Sequence, residues 1–107
     1  MTLKFDFKTL EQPFEADWPV KVAVPQDGGT VQEQVFEVRF RTLTPAELAE
    51  VDAAPDPAEA KIRKALIDVK GETFSPELVE LLINRAYIFI ALLQAHTKFV
   101  LGQPAKN

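Results

Sequence analysis

The C-terminal part of the chain is an almost unbroken apolar segment, and this segment constrains the fold more than any other feature. Residues 75–101 (SPELVELLINRAYIFIALLQAHTKFVL) carry no formal charge between Arg85 and Lys98. As a single helix, the segment has most of its polar and small residues on one narrow stripe, whereas a helix packed on one core normally has an apolar stripe about 100° wide or somewhat more. The rest of the chain or another protein must therefore cover most of its circumference.

The length of this segment leaves two alternatives open. A continuous helix over residues 75–101 would be roughly 39 Å long at 1.5 Å per residue, which exceeds the roughly 30 Å span of a small domain. Such a helix either projects beyond its own domain or breaks near Asn84. Projection would leave apolar surface for a partner, and we therefore expect self-association or a protein partner through this segment.

Composition limits the class of partner. The chain has 107 residues, which suits one domain. Its net charge is -4 and it has no cluster of Lys or Arg, so the electrostatic footprint of a nucleic-acid-binding protein is missing. The absence of cysteine fits a reducing cytosol. We find no apolar core of a signal peptide and no run of about 20 apolar residues, and we expect neither export nor a membrane span.

The N-terminal part predicts two or three antiparallel strands. Leu3, Phe5 and Phe7 alternate with charged residues, which is the period-two pattern of a strand with one buried face. A second alternation covers residues 18–24 and a third covers residues 35–41, and between them the sequence PQDGG supplies residues that favour a tight turn. These two alternations predict a β-hairpin.

Three helix starts follow the hairpin. Thr44, Pro45 and Glu47 form the pattern of a capping box, and similar sequences begin at Asp56 and at Ser75. We predict helices over about 45–51 and 57–69, separated by a linker over 52–55 and the second ended by Gly71, and a C-terminal helix ended by Gly102.

The fold class expected is therefore α+β in a single domain. An antiparallel β-hairpin part over about 3–42, with two or three strands, is followed by a helical part over about 44–102. This helical part has three to four helices, of which the last is long and strongly apolar. Residues 103–107 are expected to be a frayed tail.

Few residue types suited to catalysis are present. Ser75 is the only serine, and its position explains it as a helix N-cap. His96 is the only histidine and lies among apolar residues, where packing is more common than catalysis; a zinc site would need further His or Cys. Most acidic residues lie on hairpin faces, caps and linkers instead of beside apolar runs. We expect no catalytic site, no metal and no cofactor.

Four stretches of the chain resemble a known family when they are taken in order. They are residues 22–29 (VAVPQDGG), residues 36–41 (FEVRFR) leading to Leu43, residues 74–78 (FSPEL), and Tyr87 followed by Ala91 and Leu92. Together they resemble the tail assembly chaperones of long-tailed bacteriophages and prophages. Two features depart from the family pattern: residues 68–73 are short and lack a tryptophan, and no proline precedes Tyr87.

The resemblance implies a non-catalytic role in the host cytoplasm. Such chaperones self-associate, coat the tape measure protein and keep it soluble while the tail tube protein polymerises around it, and they are absent from the finished particle. We expect the apolar helix to act by helix-in-groove recognition. The residues predicted to contact the partner are Phe89, Leu92, His96, Phe99 and Val100.

The resemblance also implies a second, longer product made by ribosomal frameshifting. Ala105, Lys106 and Asn107 can be encoded by GCA AAA AAC, which contains the slippery run A AAA AAC in the phase that a backward slip needs. Two other functions stay open at this point. One is a structural tail completion or connector subunit, and the other is a small regulatory protein that binds a host target.

Overall fold

The computed structural model describes residues 3–105, and its elements form one antiparallel sheet with four α-helices. In chain order they are a 3-10 helix (Phe7–Glu11), β1 (Glu15–Pro25), β2 (Val31–Arg41), α1 (Pro45–Ala53), α2 (Pro57–Ala65), β3 (Leu66–Val69), α3 (Pro76–Ile83) and α4 (Ala86–Leu101). The strand order is β1-β2-β3, and both pairs are antiparallel. This architecture confirms the predicted α+β class.

The β1-β2 hairpin has the arrangement that the sequence predicted. Trp18 pairs with Val38 and Val20 with Phe36, which places the apolar alternations of both strands on the same face. Gly28 and Gly29 both have positive φ, at 86° and 83°. Glycine adopts this conformation readily because it has no Cβ, whereas for other residues it is energetically unfavourable. The apolar face of the sheet is packed under α4, whereas the opposite face carries most of the charged residues, with Val31 and Val35 exposed near the turn.

The third strand is not the one that the N-terminal alternation predicted. Residues 3–6 have no regular structure, and the 3-10 helix begins at Phe7 with the Asp6 carboxylate accepting a hydrogen bond from the Lys8 amide at 3.0 Å. A strand there would have needed the free edge of β1, but Pro19 and Pro25 lack the amide hydrogens that a neighbouring strand would use.

Residues 66–69 supply the third strand instead, where the sequence had predicted the end of a helix. Helix α2 ends at Ala65, and β3 pairs with β2 through Val69 opposite Val38 and Leu66 opposite Phe40. Leu66 and Val69 are buried in the core. The prediction that this helix continues to Val69 and is ended by Gly71 was therefore wrong, because pairing with β2 outweighs the local helical pattern.

The predicted helix caps are present. The Thr44 hydroxyl accepts from the Glu47 amide at 3.2 Å, and the Glu47 carboxylate accepts from the Thr44 amide at 3.0 Å. The Asp56 carboxylate accepts from the Glu59 amide at 3.2 Å and caps α2, and the Ser75 hydroxyl accepts from the Leu78 amide at 3.1 Å and caps α3. Helix α1 continues to Ala53, into the segment that the sequence analysis had assigned to a linker.

The C-terminal apolar segment breaks at Asn84 and Arg85. Helix α3 ends at Ile83, and α4 starts at Ala86 at an angle of 101° to it. Within residues 3–105 no single helix is long and apolar enough to cross a bilayer. Helices α3 and α4 have the required length and apolarity only when they are taken together, and they are bent by this angle. The continuous helix was therefore the wrong alternative, and the prediction of one long, strongly apolar last helix is not confirmed, since α4 has 16 residues.

The break requires no proline because burial on both sides of it stabilises the bend. Asn84 keeps helical dihedrals, whereas Arg85 is extended and its carbonyl accepts the first hydrogen bond of α4, from the Phe89 amide at 2.9 Å. Val79 and Ile83 from α3 and Leu92 from α4 enter one core with the sheet. A straight helix could not bring both apolar faces to that core.

Helix α4 ends where the sequence predicted. Gly102 adopts the left-handed conformation with φ 70°, and the Gln103 amide donates to the Lys98 carbonyl at 2.9 Å. Ala105 is half-buried at the end of the tail that was predicted to be frayed. Lys106 and Asn107, which belong to that tail and to the predicted frameshift site, lie outside the described residues.

Candidate interaction surfaces

Three of the five residues predicted to contact a partner lie inside the protein's own core. Leu92, His96 and Phe99 are 0%, 3% and 7% exposed, because α4 packs against β1 with this face inward. Phe89 is half-buried, and only Val100 is well exposed, at 58%. The first three cannot contact another chain without opening the fold, so the predicted surface needs correction.

Phe99 is at the centre of an aromatic cluster that joins α4 to the sheet. Its ring centroid lies 5.8 Å from Phe14, 5.6 Å from Trp18 and 5.5 Å from Phe40. These separations are typical of stabilising aromatic pairs. The bend at Asn84 directs this cluster inward, and the sequence contains no strong local signal for that bend.

His96 is a buried, neutral imidazole. Its ring lies edge-on to Phe40 with the centroids 5.2 Å apart, and its Nε2 has no hydrogen-bond partner in the part of the chain that the structure describes. Burial is the main cause that lowers the pKa of His96 to about 4, and the charge of Lys61 lowers it further. With apolar surroundings and a neutral ring near pH 7, His96 is suited to packing.

The solvent side of α4 carries a separate apolar stripe that we call the α4 outer face. Ile90, Leu93, Val100 and Leu101, with Thr97 between them, fall on this one side at helical spacing. Ile90 and Leu101 are 54% and 63% exposed. A shallow cleft of about 450 Å³ lies beside Leu93 and Thr97. The stripe is therefore accessible without any change in the fold.

A second exposed apolar surface is the N-terminal arm, residues 3–14. Its five large apolar side chains are between 57% and 80% exposed, and they are Leu3, Phe5, Phe7, Leu10 and Phe14. The arm is fixed at its end, where the Thr42 amide donates to the Phe14 carbonyl at 2.9 Å. An open cleft of about 700 Å³ separates the arm from Leu43. So much clustered apolar surface on a small protein indicates an interaction site.

A third surface is a groove between the hairpin and the start of α4. We call it the hairpin groove; it has a volume of about 200 Å³ and is lined mainly by apolar side chains, namely Val22, Val24, Val35, Phe36, Tyr87 and Ile88. Gln34 contributes its polar edge. It lies towards the turn end of the hairpin, away from the arm.

The outer face of the sheet, in contrast, is covered by paired charges. Arg39 contacts Glu15 at 3.2 Å and Asp17 at 2.8 Å, and Lys70 contacts Asp17 at 3.2 Å. Arg39 and, to a smaller extent, Lys70 hold the pKa of Asp17 below its ordinary value. This face is solvated and internally paired, which makes it the least suitable of the four surfaces for an apolar partner.

Residues 3–105 contain no group of three or more His, Asp and Glu side chains placed to hold a metal ion. A cavity of only about 60 Å³ beside Trp18 and Lys21 has room for at most a few water molecules. No protein-family model, curated protein or solved structure matches the chain.

Proposed function

We propose that this protein is a tail assembly chaperone of a long-tailed bacteriophage or prophage. It self-associates in the host cytoplasm, binds the tape measure protein and keeps it soluble while the tail tube protein polymerises around it. The proposal starts from the ordered resemblance of four stretches of the sequence. The structural observation that supports it is the α4 outer face, an exposed apolar stripe at helical spacing.

The α4 outer face has the dimensions for one helix to lie along another. Ile90 and Leu101 are eleven positions apart, which is roughly 16 Å along the helix axis. Leu93 and Thr97 lie between them, so the anchors follow one side of the helix over about three turns. An amphipathic segment of a long helical partner binds to such a stripe through its own anchors at i, i+3, i+4 and i+7.

The energy of this contact explains why self-association belongs to the function. The four apolar side chains offer on the order of 350 Å² to a partner, which is about 9 kcal/mol at 25 cal/mol/Å². Association itself costs about 4–15 kcal/mol, so one copy binds weakly and reversibly. Several copies joined to one another gain affinity through effective concentration when they bind one long chain.

The charge distribution fits a protein that has to stay soluble while exposing apolar side chains. The net charge is -4, and the polar face of the sheet carries paired Arg, Lys, Asp and Glu. A net charge away from zero favours solubility. The charged surface can therefore keep the protein soluble while the α4 outer face and the N-terminal arm stay exposed to partners.

The proposal is tested by co-expression with the tape measure protein, which we expect to be encoded by a very long reading frame just downstream. The wild-type protein is expected to hold the tape measure protein in the soluble fraction and to co-elute with it. Ile90→Glu combined with Leu101→Glu should abolish both effects. The matched control is Leu48→Glu, which places the same charge on an exposed leucine of α1, and it should leave both effects intact.

The double variant is judged only if its circular dichroism and melting temperature match the wild type. If this folded variant still keeps the tape measure protein soluble as well as the wild type does, the α4 outer face is not the binding surface. If the wild-type protein neither solubilises nor co-elutes with the tape measure protein, the proposed function is wrong.

The exposed N-terminal arm also fits a second candidate function, a structural subunit of the tail. Arms of this kind connect neighbouring subunits in permanent assemblies, where large apolar areas are buried. Mass spectrometry of purified particles distinguishes the two functions. A chaperone is absent from the finished particle, whereas a completion or connector subunit is present in fixed copy number.

A further inference from the structure

We propose that the N-terminal arm of one copy binds in the hairpin groove of the next copy, so that the protein assembles head to tail. The proposed function includes self-association, and this inference names the two surfaces that form the contact between copies. It rests on the proposed function only in assuming that the protein self-associates. The arm is residues 3–14, and the groove is the one lined by Val22, Val24, Val35, Phe36, Tyr87 and Ile88.

The arm exposes an area close to what a stable interface needs. Taking about 150–200 Å² for each of its five large apolar side chains, their exposed fractions amount to about 600 Å². A standard protein interface buries about 800 Å² on each partner. The arm also extends the molecule, since the radius of gyration is 15.3 Å against about 13 Å expected for a compact domain of this length.

The arm lines no part of the groove of its own copy in the structure, so the contact that we propose is one between copies. The arm joins β1 at Glu15, whereas Val22 and Val24 lie seven and nine residues further along the same strand. At about 3.3 Å per residue, the groove is roughly 23–30 Å from the arm's attachment point. Each copy therefore carries the arm at one end of the hairpin and the groove towards the other end.

The size of the groove matches side chains of the arm better than a whole helix. A volume of about 200 Å³ is below the range of about 300–1,000 Å³ typical of small-molecule pockets, and it accommodates one or two large side chains. Phe5 and Phe7 are the natural occupants because their rings lie together, with centroids 5.1 Å apart, at 57% and 73% exposure.

A contact between two different surfaces does not close on itself after two copies. It repeats until a ring closes, or it continues as a helical filament. Such an array presents the α4 outer face once in each copy at regular intervals. The geometry thus supplies the repeated weak contacts that a long, helical partner protein requires.

The test uses the full chain with a C-terminal affinity tag, so that the arm is unmodified. Phe5→Asp combined with Phe7→Asp blocks the arm, and Gln34→Arg blocks the groove, since Gln34 lines the groove on the same face of the hairpin as Val22. All three positions are exposed, and the variants should therefore fold; the fluorescence of Trp18, the only tryptophan, checks this. Light scattering coupled to size-exclusion chromatography measures the mass without the tape measure protein.

Wild type and the control Leu48→Asp are expected to form oligomers at micromolar concentration, and each blocked variant alone should be monomeric. An equimolar mixture of the two blocked variants should yield a dimer and nothing larger, because it contains one intact arm and one intact groove that fit each other. Its mass should be about 24 kDa, twice the 12.0 kDa of one chain.

Three results would overturn the inference. They are a monomeric wild type, an arm variant that still forms wild-type oligomers, and a mixture of blocked variants that stays monomeric, as it would if two identical surfaces paired. The proposed function fails separately. A wild-type protein that assembles through its arm but leaves the tape measure protein insoluble contradicts the chaperone role and leaves the head-to-tail contact standing.

Discussion

His96 makes the stability of this protein depend on pH in a range where few other groups titrate. The side chain is buried against Phe40, and burial lowers the pKa of His96 from 6.5 to about 4. In the unfolded chain the imidazole takes up a proton as the pH falls through 6.5, whereas in the folded protein it stays neutral until about 4. The stabilisation is therefore complete above pH 6.5 and is lost progressively between 6.5 and 4.

The size of this effect follows from the difference between the two pKa values. Each pH unit between them costs about 1.4 kcal/mol, so that lowering the pH from about 7 to about 5 removes about 2 kcal/mol from the free energy of unfolding. His96 is the only histidine. In unfolded chains α-amino groups titrate near 8 and carboxyl groups near 4, mostly outside this interval. The interval therefore isolates the contribution of His96.

Urea unfolding followed by the fluorescence of Trp18 measures the effect, because Trp18 contacts Phe99 edge-on in the same aromatic cluster. The wild type should lose about 2 kcal/mol between about pH 7 and about pH 5. His96→Leu should lose little, since leucine cannot be protonated. Thr97→Leu, one residue further on the exposed side, should keep the full pH dependence of the wild type.

A wild-type protein whose free energy of unfolding is the same at both pH values would refute the reasoning. So would a His96→Leu variant that retains the wild-type loss. Either result would mean that the imidazole is accessible to water in the folded state, and that α4 does not pack against β1 as described.

Three further predictions concern the fold. Phe99→Ala should lower the free energy of unfolding by about 3–5 kcal/mol, measured by urea unfolding, because it empties the centre of the aromatic cluster; a loss below about 1 kcal/mol would contradict that position. Thr44→Ala removes half of the capping box and should cost about 1 kcal/mol in the same assay, whereas no change would mean that the cap is not formed in solution. Gly102→Ala should cost about 1 kcal/mol and lower the melting temperature, since φ is 70° there, and an unchanged melting temperature would argue against a left-handed helix end.

The features that the sequence could predict depend on local chemistry. The turn over residues 25–29 follows from two glycines between alternating strands, and Thr44, Asp56 and Ser75 each cap the helix that follows them. In these cases the residues that determine the structure are within four positions of one another. Tertiary contacts then reinforce a preference that the chain already has.

The features that the sequence could not predict depend on distant partners. Leu3, Phe5 and Phe7 alternate like a strand, but the strand edge that would have paired with them contains prolines. Residues 66–69 continue a helical pattern, but β2 is available to pair with them. A local pattern does not contain either fact, since each depends on what the rest of the chain places nearby.

The predicted binding residues on α4 were misplaced for a related reason. The helix has apolar residues on both its inner and outer sides, so the pattern alone cannot indicate which side faces the sheet. The 101° bend at Asn84 decides this by placing Leu92, His96 and Phe99 inward and Ile90 and Leu101 outward. The kind of site predicted, an apolar side of the last helix, stays a prediction, but the residues offered to a partner are different.

The central claim is that this protein works by holding other chains through apolar side chains that its own fold leaves uncovered. Light scattering on the purified 107-residue chain, first alone and then with the tape measure protein, tests it most directly. The account predicts assemblies of several 12.0 kDa chains and a larger soluble complex once the tape measure protein is added. A single chain that stays alone in solution and gains no mass from that addition would contradict it.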